Sequence, residues 1–477
     1  MQLLRDASSV TRWDREVDVV VIGLGCAGAA VALEASRVGA QVLVFECASG
    51  GGGTSAMSGG VIYLGGGTSI QTACGFEDSA EDMFAYLMAS CGPRPDEEKI
   101  RAYAEGSVEH FEWFVRNGVP FKPVFYPDNS GEPPTDDGLV FSGSENAHPY
   151  RPKIRPAPRG HVPQVPDAAG GFLMQKLLAA VAGSEAELVC DARCEALFAT
   201  AEREVLGVAV RIDGREHQIR ARGGVVLATG GFINNREMIR EYAPQLENCS
   251  VRVGAAGDNG SGIRLGAAVG AAAVHMGFGS ISLPIIPPRK LQKGILINAQ
   301  GQRFINEDSY YGVLGEHALY RQNGRAYLVL DDETFERPKA PREVVATGES
   351  ARELEQELGL PAGSFEATLE LYNRYAEKGE DPVFNKAPEW VVPLRPPLGA
   401  LDCTAESSIY AAFTLGGLRT SAFGEVLTPD ASVIPGLYAA GRTTACLAAP
   451  GYSSGLSIGD GTFFGRRAGL RAAARAA

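Results

Sequence analysis

The chain has 477 residues, 45% of them apolar, and 57 acidic against 44 basic side chains give it a formal charge of -13. That field repels polyanions, so nucleic acid is excluded as a partner, while the apolar content suffices for a large buried core. Nine cysteines stand singly with no C-x-x-C pair, which excludes zinc ribbons, iron–sulfur ligation and covalent c-type haem, and no metal is expected.

The first residues, MQLLRDASSVTRWDREVD, carry charges before any apolar run. No apolar stretch reaches the ~18 residues of a membrane span, so a cytoplasmic protein without a signal peptide is expected. Val17 to Ile22 is a β-branched run broken only by Asp18, the pattern of a strand buried on both faces. It leads into Gly23-Leu-Gly25-Cys-Ala27-Gly28 and an alanine-rich helix ending near Gly39. A second strand, Gln41 to Phe45, then stops at Glu46, about 20 residues past the glycines. Each residue type has a chemical reason. Gly23 permits a tight turn, Gly25 lets the backbone approach a pyrophosphate, and Gly28 lets helix pack on strand. Helix-start amides face the phosphates and the Glu46 carboxylate accepts from a ribose. A dinucleotide site is expected here.

Residues 50–67, GGGGTSAMSGGVIYLGGG, form a second glycine-rich stretch whose Ala56, Met57, Val61, Ile62, Tyr63 and Leu64 are too apolar for a free linker. Residues 205–232 predict two alternating strands joined at Asp213-Gly214, then a further strand ending in Ala228-Thr229-Gly230. The segment from Val433 to Gly441 predicts another strand ending in small residues. The basic tail RRAGLRAAARAA reads as a solvated terminal helix.

Taken together, these segments resemble the FAD-dependent flavoproteins of the fumarate reductase and succinate dehydrogenase superfamily. The resemblance spans nearly the whole chain, through GGTSAMSGG, ATGGF at 228–232, GDNGSGIRLGAAVGA at 257–271, GILINAQGQRFINED at 294–308, FTLGGLRT at 413–420 and GLYAAGR at 436–442. It implies an α/β fold with a discontinuous Rossmann-like FAD-binding domain, residues 1–275 and 424–477, and an inserted α+β capping domain, residues 276–423, that carries catalysis. It also implies FAD contacts at Gly23, Gly25, Ala27, Gly28, Glu46, Gly53, Thr54, Ser55, Ser58, Gly59, Gly60, Ala228, Thr229, Gly230, Asp258, Gly441, Arg442, Gly455, Ser457 and Ile458.

Departures from the superfamily pattern narrow the expectation. Members with covalent FAD carry a histidine where this chain has Gly53, so non-covalent FAD is expected. Dicarboxylate enzymes place a histidine at the position of Phe413 and an arginine in the last loop. Here LAAPGYSSGLSIGDG (447–461) has no arginine, and no histidine follows His317. A dianion buried without partner charges costs several kcal/mol, so the substrate site is expected to be apolar and neutral. That profile is similar to the 3-ketosteroid dehydrogenases. The cap segment Asn306-Glu-Asp-Ser-Tyr310 and the loop Gly451-Tyr452-Ser453-Ser454-Gly455 resemble the Δ4-(5α) type, as do SGG at 58–60, SVEH at 107–110 and APRGHVP at 157–163. The resemblance implies Tyr452, Ser454 and Tyr310 in catalysis, Phe413 and Gly451 against the substrate, a small apolar ketone (steroid) as substrate, and an external electron acceptor.

Desaturation beside a ketone needs a base for the acidified α-proton and a flavin to take the adjacent hydride. A tyrosine base must fall from ~10 by about three pKa units, roughly 4 kcal/mol, which a neighbouring donor must help supply. Ser454 is expected to do this for Tyr452. Δ1-dehydrogenation and a fumarate-reductase-like enoate reduction on another apolar substrate remain alternatives, as does a flavoprotein serving electron transfer alone. A serine hydrolase using Ser453 in the G-x-S-x-G pattern is disfavoured, because only 24 residues follow it and none is histidine.

Overall fold

The computed structural model describes residues 2–128 and 133–477. The strand Arg15–Ile22 lies parallel between Val42–Phe45 and Arg215–Leu227, with Val20 opposite Leu43 on one side and Val225 on the other. Strands and helices cover both its faces, which is why Val19, Val20 and Val21 are fully buried and why no polar alternation marks this run. Glu187–Val189 extends the sheet beyond Val42–Phe45, Val205–Ile212, Ala192–Ala199 and Leu4–Asp6 extend it on the other flank, and Val433–Ala439 with Glu425–Leu427 branches from Arg215–Leu227 to make nine strands.

The hairpin at Asp213-Gly214 forms as its turn chemistry requires, both residues having positive φ. The two strands expected after it are instead one 13-residue strand, Arg215–Leu227, whose register shifts between Ala221 and Gly224. Its first half pairs with Val205–Ile212 and its second with Val433–Ala439. Gly223 and Gly224 sit at the shift because backbone crowds them. A Cβ on Gly223 would lie 2.1 Å from the Ala472 carbonyl oxygen, and one on Gly224 2.7 Å from that of Gly436.

The terminal helix Leu456–Ala476 is longer and less solvated than its basic composition suggested. Gly465 and Gly469 press against the Ala27 and Val31 carbonyls of helix Cys26–Arg37, and Ala468 and Ala472 are wholly buried. Arginines occupy the remaining face, so the apolar stripe was hidden among residues too small to stand out.

A second, antiparallel sheet runs in the order Ile295–Asn298, Ala326–Asp331, Leu398–Asp402, Val344–Gly348. Its alternation sends Ile295, Ile297 and Val329 into a cluster with Leu354, Phe365 and Leu369 of its covering helices. Leu296, Leu328 and Leu330 go the other way, into the core shared with the large sheet. A short sheet links the two bodies, with Ser280 of Gly279–Ser282 opposite Phe413 of Ala411–Thr414. Among the described residues no helix is long and apolar enough to cross a membrane, and no group of acidic, histidine or cysteine side chains could hold a metal ion.

Candidate functional site

A cavity of about 1120 Å³ opens where the parallel strands end, between the large sheet, the antiparallel body and the last loop. One end is built mainly of backbone. Gly23 turns with φ +99°, and a Cβ on Gly28 would lie 2.0 Å from the Gly23 carbonyl oxygen, so this helix meets the turn only as glycine. Gly25 caps the helix without a side-chain bond of its own, and Ser55 Oγ, also on the cavity wall, accepts the Cys26 amide at 3.2 Å where the helix start faces an anion. Glu46 is buried and accepts from the Leu24 amide at 2.7 Å and the Ala48 amide at 2.9 Å. Thr54 Oγ1 donates to Asp258 at 2.8 Å, and the Arg442 guanidinium bonds the same carboxylate at 2.5 Å. Arg442 Nη1 is buried with no hydrogen-bond partner, so a donor waits beside the cavity wall. This donor, the helix start and the buried acid are what a dinucleotide's phosphates and ribose require, and the residues fit FAD. A Cβ on Gly53 would meet nothing within 4 Å, and no imidazole stands there to bond a flavin covalently.

The other end is built of aromatic rings. Phe413 and Tyr452 meet edge to face at 5.2 Å between centroids, and Tyr310 and Tyr311 tilt against each other at 4.3 Å. All four line the cavity together with Ser454 and Ser457. Tyr452 precedes helix Leu456–Ala476, and its Oη accepts the Ser457 amide at 3.2 Å. Burial pushes this phenol up to about 12, against the Ser457 amide, which favours the phenolate. Burial also raises Tyr310 well above the usual phenol range; Tyr311 adds to the rise and the Ser454 hydroxyl opposes it.

Two expectations are corrected here. The donor seen on Tyr452 Oη is the Ser457 amide and not the Ser454 hydroxyl, because the turn at Gly455 carries Ser457 back under the phenol. The phenol is also raised rather than lowered, since desolvation outweighs the donors. Of the residues expected on FAD or substrate, Gly28 and Gly451 do not line the cavity. Gly28 serves helix packing, and Gly451 is pressed against the Ser90 carbonyl, where a Cβ would lie 1.8 Å away. The others line it: Gly23, Gly25, Ala27, Glu46, Gly53, Thr54, Ser55, Ser58, Gly59, Gly60, Ala228, Thr229, Gly230, Asp258, Gly441, Arg442, Gly455, Ser457 and Ile458 with Phe413, Tyr310, Tyr452 and Ser454.

Ser453 is 2% exposed, off the cavity wall, and its Oγ lies 3.0 Å from Tyr86 Oη. A hydrolase nucleophile would need exposure and an imidazole partner, so that pattern is a coincidence of loop glycines. The histidines of SVEH and APRGHVP are internal braces: His110 bonds Thr462 at 2.8 Å and His161 bonds Thr68 at 2.7 Å. Of the four rings, Tyr311 is the one the sequence reading missed, and it also named none of the cavity's Arg193, Arg264 and Lys339. The only signal for Tyr311 is adjacency to Tyr310 in the Tyr-Tyr pair.

The family described as FAD binding domain matches residues 18–457. The crystal structure of 3-ketosteroid-Δ4-(5α)-dehydrogenase from Rhodococcus jostii RHA1, in complex with 4-androstene-3,17-dione, is 44% identical. It covers 99% of this chain and 100% of its own, with a TM-score of 0.94. The 3-oxo-5-alpha-steroid 4-dehydrogenase of Comamonas testosteroni is 29% identical over 90% of this chain and 93% of its own length. NADH:fumarate oxidoreductase of Klebsiella pneumoniae (strain 342) is also 29% identical, over 97% of this chain, which spans 48% of that protein's length.

Proposed function

The chain belongs to the FAD binding domain family, and from that premise we propose that it is an FAD-dependent 3-ketosteroid dehydrogenase placing a C4–C5 double bond in 3-keto-5α-steroids. The observation that carries this reading is the ring cluster of Tyr310, Tyr311, Phe413 and Tyr452 at one end of a cavity whose other end suits a dinucleotide. Arg442, the cation beside Phe413 at 5.3 Å, is already committed to Asp258. A flat neutral ketone buries its area on these rings, whereas a dicarboxylate there would have to share the Arg442 charge with Asp258.

Bound FAD supplies the two-electron acceptor that takes hydride from the substrate carbon. Everything else falls to side chains. The Tyr452 phenolate accepts the α-proton, held by the Ser457 amide at the start of a 21-residue helix whose dipole favours negative charge. Tyr310, kept neutral by burial, remains a donor able to polarise a carbonyl. Asp258, Thr54 and Arg442 hold one another in place as part of the cofactor wall. We assign the two electrons to an external acceptor, because the sequence offers no C-x-x-C or haem-attachment motif for an internal relay.

The test is an anaerobic mixture of the yellow holoenzyme with 5α-androstane-3,17-dione. Bleaching of the visible flavin band with stoichiometric 4-ene product is expected. A 1-ene product would place the reaction at the other side of the ketone, and no bleaching with any saturated 3-ketosteroid would refute the substrate class.

A further inference from the structure

Residues 142–145, Ser-Gly-Ser-Glu, belong to no motif of the FAD site, yet Ser142, Ser144 and Glu145 are buried to within 2% exposure. They lie where the cap and the last loop meet. Ser144 Oγ accepts the Tyr310 amide at 3.0 Å, and the Ser144 amide donates to Tyr86 Oη at 2.9 Å. That same Oη lies 3.0 Å from Ser453 Oγ. Beside it, Ser142 Oγ donates to the Ser454 carbonyl at 2.9 Å, and the Ser454 amide donates to the Ser142 carbonyl at 2.8 Å. Gly143 makes the approach possible, since a Cβ there would lie 2.4 Å from Ser453 Oγ and 2.6 Å from Tyr86 Oη.

Tyr310 enters the cavity from the cap side, and Tyr452 and Ser454 enter it on the last loop. Two groups on separate bodies act on one substrate only if their separation is held to about half an ångström. We propose that Ser144 is the positioning residue that sets this separation, its hydroxyl fixing the backbone of Tyr310 and its amide, through Tyr86, fixing the loop of Tyr452 and Ser454. Tyr310 is also the N-cap residue of helix Tyr311–Glu316 and caps it with no side chain, so the bond to Ser144 is what orients that end of the helix. The inference rests on the catalytic reading of Tyr310 and Tyr452 given above.

The experiment is a double-mutant cycle on the holoenzyme, with Ser144→Ala made in the native chain and in Tyr310→Phe. In the native chain kcat should fall about tenfold, with KM within twofold and the FAD-to-protein ratio unchanged. In the Tyr310→Phe background the same change should cost less than twofold. Equal losses in both backgrounds, or an unchanged kcat, would overturn the proposal, because a merely structural hydroxyl costs the same whether or not Tyr310 is a phenol. Hydrogen exchange provides a readout that does not depend on steroid turnover: the Tyr310 amide should exchange at least tenfold faster in Ser144→Ala, and unchanged protection also overturns the proposal. Should Ser144→Ala not fold, Tyr86→Phe removes the acceptor of the Ser144 amide and is judged by the same cycle. If the native enzyme oxidises no saturated ketosteroid, the functional reading falls while the exchange result still decides whether Ser144 holds Tyr310.

Discussion

At the dinucleotide end of the cavity, Gly23 and Gly28 lie on one turn and touch through backbone alone. At the ring end, the amide of Tyr310 meets a serine 166 residues away, and Tyr86 meets Ser453 across 367 residues. The first end therefore depends on the absence of side chains at a few local positions, the second on side chains brought from distant segments. Substitutions should fail differently at the two ends: adding atoms destroys the first, and removing polar atoms disables the second without unfolding it.

Gly28→Val is the most severe expected change. Its Cβ would overlap the Gly23 carbonyl at 2.0 Å, and a cost of more than about 4 kcal/mol should leave purified protein with no visible flavin absorbance. Gly53→Ala sharpens the point, because its Cβ finds open space and only its φ of +48° is strained. About 1 kcal/mol of stability is lost by thermal unfolding and the fold stays.

Tyr452→Phe should retain FAD and lose about 10³-fold in kcat, roughly 4 kcal/mol of barrier. With the phenol raised to about 12, the phenolate fraction grows tenfold per pH unit below that value. The native kcat/KM should therefore climb with slope near one from pH 7 to 9. A flat profile would remove Tyr452 as the base.

Ser453→Ala should change least. It gives up one bond to Tyr86, about 1 kcal/mol of stability by thermal unfolding. Because that bond ties Tyr86 to the loop of Tyr452, turnover should fall by no more than the roughly tenfold loss expected of Ser144→Ala, and a serine-directed phosphonate should label neither form.

The strand, the three glycines, the helix and Glu46 were legible because each lies within 30 residues of the others and each residue type is forced by local backbone geometry. The ring cluster was legible only as residue types at Tyr310, Phe413 and Tyr452. Which serine helps which tyrosine was not legible, since Ser454 and Ser457 are both near Tyr452 in the chain and the turn at Gly455 selects between them. Ser142, Ser144 and Tyr86 gave no signal at all: their roles consist of bonds to segments that sequence spacing does not bring together. The single strand Arg215–Leu227 was expected as two for the same reason, since its register shift beside Gly223 and Gly224 is made by a helix and a strand from remote segments.

By itself, then, the sequence determined the dinucleotide turn, the fold class and the uncharged aromatic residues now found at the ring end of the cavity, because local sterics and residue chemistry suffice for those. Tertiary structure alone decided the protonation tendency of Tyr452, the amide that meets its phenol and the bonds made by Ser144. Burial and hydrogen bonding between remote segments exist only once the antiparallel body, the large sheet and the last loop have met around one cavity.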